Sequence, residues 1–356
     1  MEKRATSKDV AQLAGVSQAT VSYVLNNKKG QTISPETRER VLKAARLLDY
    51  MPTHVARVLQ ACRTNCIAVS VNKNVMLPRY GQVLEGARSI LDKEGYRLLL
   101  CTDALSPSGY PDYLNRCILH RADGILYVGA DGQEPLSSAL EYILAHNIPF
   151  VAYDSCQENP SLSSVNLDYY SGTKDAVEYF LSLGGKHLAY LRPCQEINTP
   201  QEIQREAGVR AAVAACPGAS LEVFDDFLPG DARLDENFSF HFLQELSTSA
   251  RNFFSTVVSR VAEGMRFVCS WGAWAQPLSS LLPPSDDDAP SILSLAQVGS
   301  FPYGNQDRRI LTCNLLNYLA GECCARLLLH QLHEKGEPEK QLLRPGVLRP
   351  DVAGPF

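Results

Sequence analysis

From Cys66 onward the chain repeats one pattern that permits few folds: short, nearly continuous apolar runs alternate with amphipathic stretches. Ile67–Val71, Arg97–Cys101, Gly124–Val128, Phe150–Tyr153 and His187–Leu191 read as strands. Val83–Lys93, Tyr113–Leu119, Leu136–Ala145, Gly172–Leu183 and Ile203–Ala215 read as the helices that alternate with them. Strands that are apolar throughout must be covered on both faces, so the repeat implies parallel sheets flanked by helices. Phe267–Ser270 and Leu295–Ser300 read as further strands, whereas Pro217 to about Ala262 carries no clear period. A chain of 356 residues exceeds one small core. The expected body is two α/β lobes with a cleft where open parallel sheets present strand ends to ligands.

The first fifty residues follow a different rule and read as three short helices. Thr6-Ser7-Lys8-Asp9 has the layout of a capping box, in which Asp9 reaches back to the amide of its cap. Val10, Ala11 and Ala14 then give helical spacing up to Gly15. Ser17 is a second cap candidate, followed by Val21, Val24 and Leu25. Ser34-Pro35 is a third start, with Val41, Leu42, Ala45 and Leu48 as the apolar stripe.

Charge separates the two regions. Residues 1–64 hold 11 Lys/Arg against 5 Asp/Glu, a net of +6, while the remainder holds 23 against 34, a net of −11. A basic head on an acidic body suggests a phosphate-rich partner for the head alone. No run of 18 apolar residues exists and the start, Met1-Glu2-Lys3-Arg4, leads into polar sequence, so a cytoplasmic location is expected. The 11 cysteines include no Cys-x-x-Cys pair and read as reduced small hydrophobes; no metal or cofactor is expected.

Ser7 to Asn26 has the layout of a helix-turn-helix: eight helical residues, Ala-Gly-Val-Ser at the turn, then a second helix. Gly15 permits the φ of a sharp turn and Val16 plugs the angle between the helices. Side chains at the start of the second helix reach base edges when such a helix lies in the major groove. Gln18 suits adenine, Ala19 a thymine methyl, and Tyr23 offers a hydroxyl and a ring edge. Ser17 and Thr20 suit phosphates, helped by the helix N-terminus, and Ser22 and Asn26 continue the same side. A helical hairpin with a glycine turn also occurs in proteins that never meet DNA, so the wider context decides.

Thr6-Ser7-Lys8-Asp9-Val10-Ala11 through Gly15-Val16-Ser17-Gln18-Ala19-Thr20-Val21-Ser22 to Leu25-Asn26 closely resembles the DNA-binding motif of the lactose-repressor (LacI/GalR) family. Ile33–Val41 and Leu48–Pro52 resemble that family's third helix and its exit, and Val55–Leu59 its short hinge helix. The resemblance continues more weakly to about residue 349, through Val165–Gly172 and Leu183–Tyr190. It implies an N-terminal all-α helix-turn-helix domain at 1–50, a hinge at 51–64, and at 65–356 an α/β core of two Rossmann-like subdomains, similar to periplasmic binding proteins. Within that core it implies an N-subdomain at about 65–164 and 315–342 and a C-subdomain at about 165–314 and 343–356. It further implies a homodimer that reads a pseudo-palindromic operator as a repressor under control of a small ligand. Leu59 is then the wedge that enters the minor groove, with Ala56 beside it and Thr6, Thr53 and His54 on the DNA side. Thr53 stands where the family usually has Asn, and Gln60-Ala61 replaces a common basic residue, which weakens phosphate anchoring near the hinge.

For the core the resemblance places Asp154 and Arg205 at effector-contacting positions, a pair suited to a polyhydroxylated, sugar-like ligand. Tyr80, Tyr170, Trp271 and Trp274 are the rings available to stack on it, core packing being the alternative for each. Here the pattern also breaks. Gly272 stands where an aspartate is usual, Gly299-Ser300-Phe301-Pro302 replaces Gly-Phe/Tyr-Asp-Asp, and Leu315 replaces a glutamine. Those losses argue against a simple hexose and leave a ligand-independent regulator or a protein-interaction module as the alternative. The sequence ends without a leucine-rich heptad tail, so a dimer is expected rather than a tetramer. An α/β enzyme with an appended helical domain is the rival class, and no nucleophile elbow, Gly-x-Gly-x-x-Gly or P-loop supports it.

Overall fold

The computed structural model describes residues 6–25, 33–48, 64–71, 75, 77–102, 104–106, 109–129, 134–155, 159–192, 198–224, 252, 254–259, 264–283, 289–296, 307–334 and 336–347. The chain divides into two compact units, Met1–Thr64 and Asn65–Phe356.

The first unit contains α1 (Ser7–Ala14), α2 (Gln18–Leu25) and α3 (Pro35–Leu47). Each begins at a hydroxyl cap. Thr6 and Asp9 form the reciprocal capping box: the Thr6 amide and hydroxyl both donate to Asp9 Oδ2 at 2.7 Å, and the Asp9 amide donates back to Thr6 Oγ1 at 3.4 Å. The Thr20 amide donates to Ser17 Oγ at 3.1 Å, and the Thr37 amide to Ser34 Oγ at 3.2 Å. Gly15 ends α1 in the left-handed region at φ 66°, a conformation that costs a residue with a Cβ about 1–2 kcal/mol. Val10, Ala11, Ala14, Val21, Val24, Val41, Ala44 and Ala45 close the small core over which the three helices meet.

Among the described residues the second unit contains two six-stranded sheets. The first sheet runs β11-β5-β4-β3-β1-β2, all parallel, with β1 Cys66–Val71, β2 Arg97–Cys101, β3 Gly124–Val128, β4 Phe150–Tyr153, β5 Ser163–Leu167 and β11 Lys340–Leu343. The second runs β12-β10-β9-β8-β6-β7, with β6 His187–Leu191, β7 Ser220–Phe224, β8 Arg266–Cys269, β9 Ile292–Ser294, β10 Ile310–Asn314 and β12 Gly346–Val347. Among the described strand pairs of this sheet, only β10–β12 is antiparallel.

The period of two sorts the side chains of the first sheet into opposite cores. Ile67, Val69, Leu126, Val128, Val151 and Tyr153 meet α4 (Pro78–Leu91) and α10 (Asn317–Glu334) on one face. Ala68, Ile125, Tyr127, Phe150 and Ala152 meet α5 (Asp112–Ile118) and α6 (Ser137–Ala145) on the other. In the second sheet Leu188, Tyr190, Val268 and Leu293 face α7 (Tyr169–Ser182) and α8 (Pro200–Ala215). Ala189, Leu191, Phe267 and Ile292 face α9 (Ala275–Leu281), Trp274 and Phe254. The region expected as a strand at Leu295–Ser300 differs: the ladder occupies Ile292–Ser294, and 297–300 lie outside the described residues.

Among the described residues the chain passes between the sheets from β5 into α7 at Asp168, from β10 into α10 at Leu315-Leu316, and from β11 to β12 at Arg344-Pro345. Two of these passages are tied together. The Asp168 amide donates to the Leu343 carbonyl at 2.8 Å while Oδ1 of Asp168 caps α7, and Arg344 pairs with Asp175 at 2.6 Å. Leu316 holds φ 58°, a conformation that costs a branched side chain about 1–3 kcal/mol, and Oδ1 of Asn314 accepts its amide at 2.9 Å. Among the described residues the cysteines are free, and burial pushes the Cys117 thiol up to about 12 and Cys101 to about 11. Those thiols are unreactive space-fillers. No helix among the described residues is long and apolar enough to cross a membrane.

Candidate DNA-facing helix and ligand junction

The two halves of α2 do different things. Val21 and Val24 turn into the small core, while Ser17, Gln18 and Ala19 are exposed and Thr20, Ser22 and Tyr23 half-exposed. Gln18 and Ser22 lie four residues apart, as do Ala19 and Tyr23, so the four make one ridge along the helix. That ridge is the side on which the sequence places base contacts. Ser17 and Thr20 are already engaged: Ser17 Oγ caps the helix and shares a hydrogen bond of 2.9 Å with Thr20 Oγ1. Thr6 is exposed, its hydroxyl committed to Asp9. Asn26, Thr53, His54, Ala56 and Leu59, and with them the hinge, lie outside the described residues.

In the second unit a polar cluster gathers where the C-terminal end of β4 meets the first turns of α7 and α8. Asp154 follows β4 directly, is only 4% exposed, and holds φ 51°, which a short polar side chain tolerates. Its Oδ2 accepts from the Arg79 guanidinium and, at 2.9 Å, from the Tyr169 hydroxyl. Its carbonyl accepts from Gln201 Nε2 at 3.5 Å, a bond from the second lobe to the first. Arg205 stands one turn further along α8, 5% exposed, with its guanidinium 4.6 Å from the centroid of the Tyr169 ring. One buried tyrosine thus touches both residues that the sequence singled out.

A second acid lies on the same helix. Glu202 is 1% exposed; the Tyr190 hydroxyl donates to Oε1 at 2.5 Å and the Ser270 hydroxyl donates to Oε2. Burial pushes the Tyr169 and Tyr190 phenols well above their ordinary range, with the adjacent Asp154 and Glu202 carboxylates adding to it. Both phenols therefore remain donors across the working pH range. Tyr153 behaves alike and donates to Asn317 Oδ1 at 2.8 Å, linking β4 to the start of α10.

The four rings expected at the ligand do not gather there. Tyr80 is 1% exposed inside the α4–α10 core, where the Arg79 guanidinium lies 5.1 Å from its ring centroid. Tyr170 points the other way and is 41% exposed; its neighbour Tyr169 takes the inward position. Trp274 is 1% exposed, edge-on to Phe254 at 6.5 Å and stacked on Trp271 at 5.2 Å, so it fills the core beneath the second sheet. Trp271 is half-buried with one face covered by Trp274. Leu315 is buried in the first lobe's core. Sequence reasoning missed Arg79, Tyr169, Gln201, Glu202 and Ser270. The three-residue spacing of Glu202 and Arg205 on one helix face was the available signal.

Known proteins match both units. Residues 6–53 match the model of the bacterial regulatory proteins, lacI family. The chain is 34% identical over 224 residues to the HTH-type transcriptional repressor PurR of Vibrio campbellii (strain ATCC BAA-1116), covering 63% of this chain and 64% of that one. It is 30% identical over 186 residues to catabolite control protein A of Staphylococcus xylosus, covering 52% and 55%. The matches thus span less than two thirds of these relatives. Among solved structures, the lac repressor dimer bound to operator and the anti-inducer ONPF superposes with a TM-score of 0.70 at 19% identity, covering 98% of each chain. At that identity the likeness concerns the fold. Residues 6–53 thus match the lacI family model, and nearly the whole chain shares the fold of the lac repressor.

Proposed function

We propose that the chain is a sequence-specific DNA-binding transcriptional regulator, acting as a repressor on a two-fold symmetric operator, with a small ligand at the junction of its two lobes. The observation that carries this reading is the ridge of Gln18, Ala19, Ser22 and Tyr23 on the outer side of α2. It offers an amide for adenine and a methyl for thymine from a helix whose N-terminus is capped, within a unit of net charge +6. Two copies are needed to read two half-sites. The names of the curated relatives, a transcriptional repressor and a catabolite control protein, support the same reading.

The core supplies the control. A ligand entering where Gln201, Arg205 and Tyr169 meet Asp154 binds both lobes together, and any difference in its affinity for two lobe arrangements becomes a difference in operator affinity.

Binding to the gene's own upstream region, followed by fluorescence anisotropy, tests the proposal. Gln18→Ala is expected to weaken binding by about 1–3 kcal/mol without altering the unfolding transition, because Gln18 is exposed and outside the small core. Affinity for the wild type should fall steeply with salt as phosphate contacts release counterions. Equal affinity of wild type and Gln18→Ala, or equal affinity for a scrambled duplex, would count against it.

A further inference from the structure

The polar groups of the junction leave a specific remainder. Arg205 is 5% exposed, its Nε is fully buried, and no group among the described residues accepts a hydrogen bond from it. Gln201, four residues earlier on the same face of α8, is also 5% exposed, and its Oε1 is buried without a donor. The Nε2 side of that amide is turned toward the Asp154 carbonyl, at 3.5 Å. A buried guanidinium without an acceptor and a buried carbonyl oxygen without a donor are each costly. Side by side, they specify a ligand that presents an acceptor for one and a donor for the other.

Among the described residues the two carboxylates nearby each accept two hydrogen bonds. Asp154 Oδ2 accepts from Arg79 and Tyr169; Glu202 accepts from Tyr190 and Ser270, one hydroxyl on each oxygen. The strand end after β8 carries Ser270, Trp271 and Gly272 and adds no further acid. Among the described residues an anion finds Arg205, while the charge of Asp154 is paired with Arg79. Among the described residues Arg79 is paired with Asp154 and Arg192 with Glu206 at 2.5 Å, which leaves Arg205 as the cation for a negative group.

We propose that the ligand of this junction is a hydroxylated carboxylate, a sugar acid in chemical class, whose carboxylate rests on Arg205 and whose adjacent hydroxyl donates to Gln201. This rests on the junction being the ligand site. Tyr169 holds the guanidinium from below through its ring, leaving the N–H edge to the carboxylate.

The test is calorimetric titration of the full chain with matched pairs at constant ionic strength: D-gluconate against D-glucitol, D-galacturonate against D-galactose, and D-glycerate against glycerol. At least one acid is expected to bind, about tenfold or more tighter than its neutral partner. Arg205→Gln should lose at least about tenfold of that affinity, Arg205→Lys should keep part of it, and Gln201→Leu should weaken the acid while leaving its preference over the polyol. Unfolding transitions of the variants establish that they are folded. Absence of binding by every acid, or equal binding of acid and polyol, overturns the ligand class. Undiminished binding of the acid by folded Arg205→Gln overturns the site as well. Operator binding is measured separately, so either failure is distinguishable from failure of the DNA-binding reading.

Discussion

Alanine in place of Gly321 is expected to lower the unfolding temperature of the core by several degrees. α4 and α10 cross at two glycines that face each other's backbone: a Cβ on Gly321 would overlap the Val83 carbonyl and lie 2.8 Å from the Ala87 amide nitrogen. A Cβ on Gly86 would overlap the Tyr318 carbonyl in the same way. The obstructing atoms are main chain within helices, so no side-chain rotation relieves the clash. The helices must part, and with them Val83, Ala87, Ala320, Cys324 and Leu328, which are buried between the helices and the first sheet. Overpacking costs about 1–3 kcal/mol, more where backbone must move, and the helix propensity of alanine returns about 1 kcal/mol. A net loss of about 2 kcal/mol corresponds to roughly 4–8 °C for a unit of this size. Thermal unfolding followed by circular dichroism checks it; an unchanged or raised midpoint would mean that the crossing is looser than described.

The second large effect is expected at Arg79. Arg79→Met removes the cation from a carboxylate that is 4% exposed and leaves Asp154 with the Tyr169 phenol as its remaining side-chain donor. Uncompensated buried charges cost about 3–5 kcal/mol, and with the Arg79 side chain 20% exposed the expected loss is about 2–3 kcal/mol. The urea midpoint should fall with little change in slope. Adding Asp154→Asn removes the charge while keeping an oxygen for Tyr169, so the double variant should recover most of the loss. A double variant no more stable than Arg79→Met would show that lost packing, not the stranded charge, is the cause.

How much of this was legible depended on whether a residue's role is set by its own neighbours in sequence. Strands covered on both faces declared themselves: Gly124–Val128 and His187–Leu191 are apolar runs bounded by turns, and both were placed to the residue. β5 was not read as a strand because Ser163 and Ser164 open it. Ser163 is 1% exposed there only because Gln331 donates to its Oγ at 2.8 Å and the Glu339 amide does so at 3.0 Å, partners 168 and 176 residues away. β11, Lys340–Leu343, is a half-exposed edge strand with no apolar run to mark it. The caps Thr6, Ser17 and Ser34 were legible because capping is local, over three residues.

The junction divides along the same line. Asp154 and Arg205 were placed through family resemblance, and the structure brings both onto Tyr169. For the rings, composition shows that an aromatic is present and not which way it turns. Tyr169 and Tyr170 are about 100° apart around α7, which sends one into the junction and the other to solvent. Arg79 in the first turn of α4 and Ser270 at the end of β8 are far apart in the chain, and only the fold makes them neighbours of α7 and α8.

The most direct test of the central claim is selection from a pool of randomised duplexes by the purified full-length chain. The account predicts enrichment of a two-fold symmetric sequence bound by two chains, and loss of the outer-base preference in Gln18→Ala. A chain that stays single on DNA, or a selected pool no different from the starting one, would contradict it.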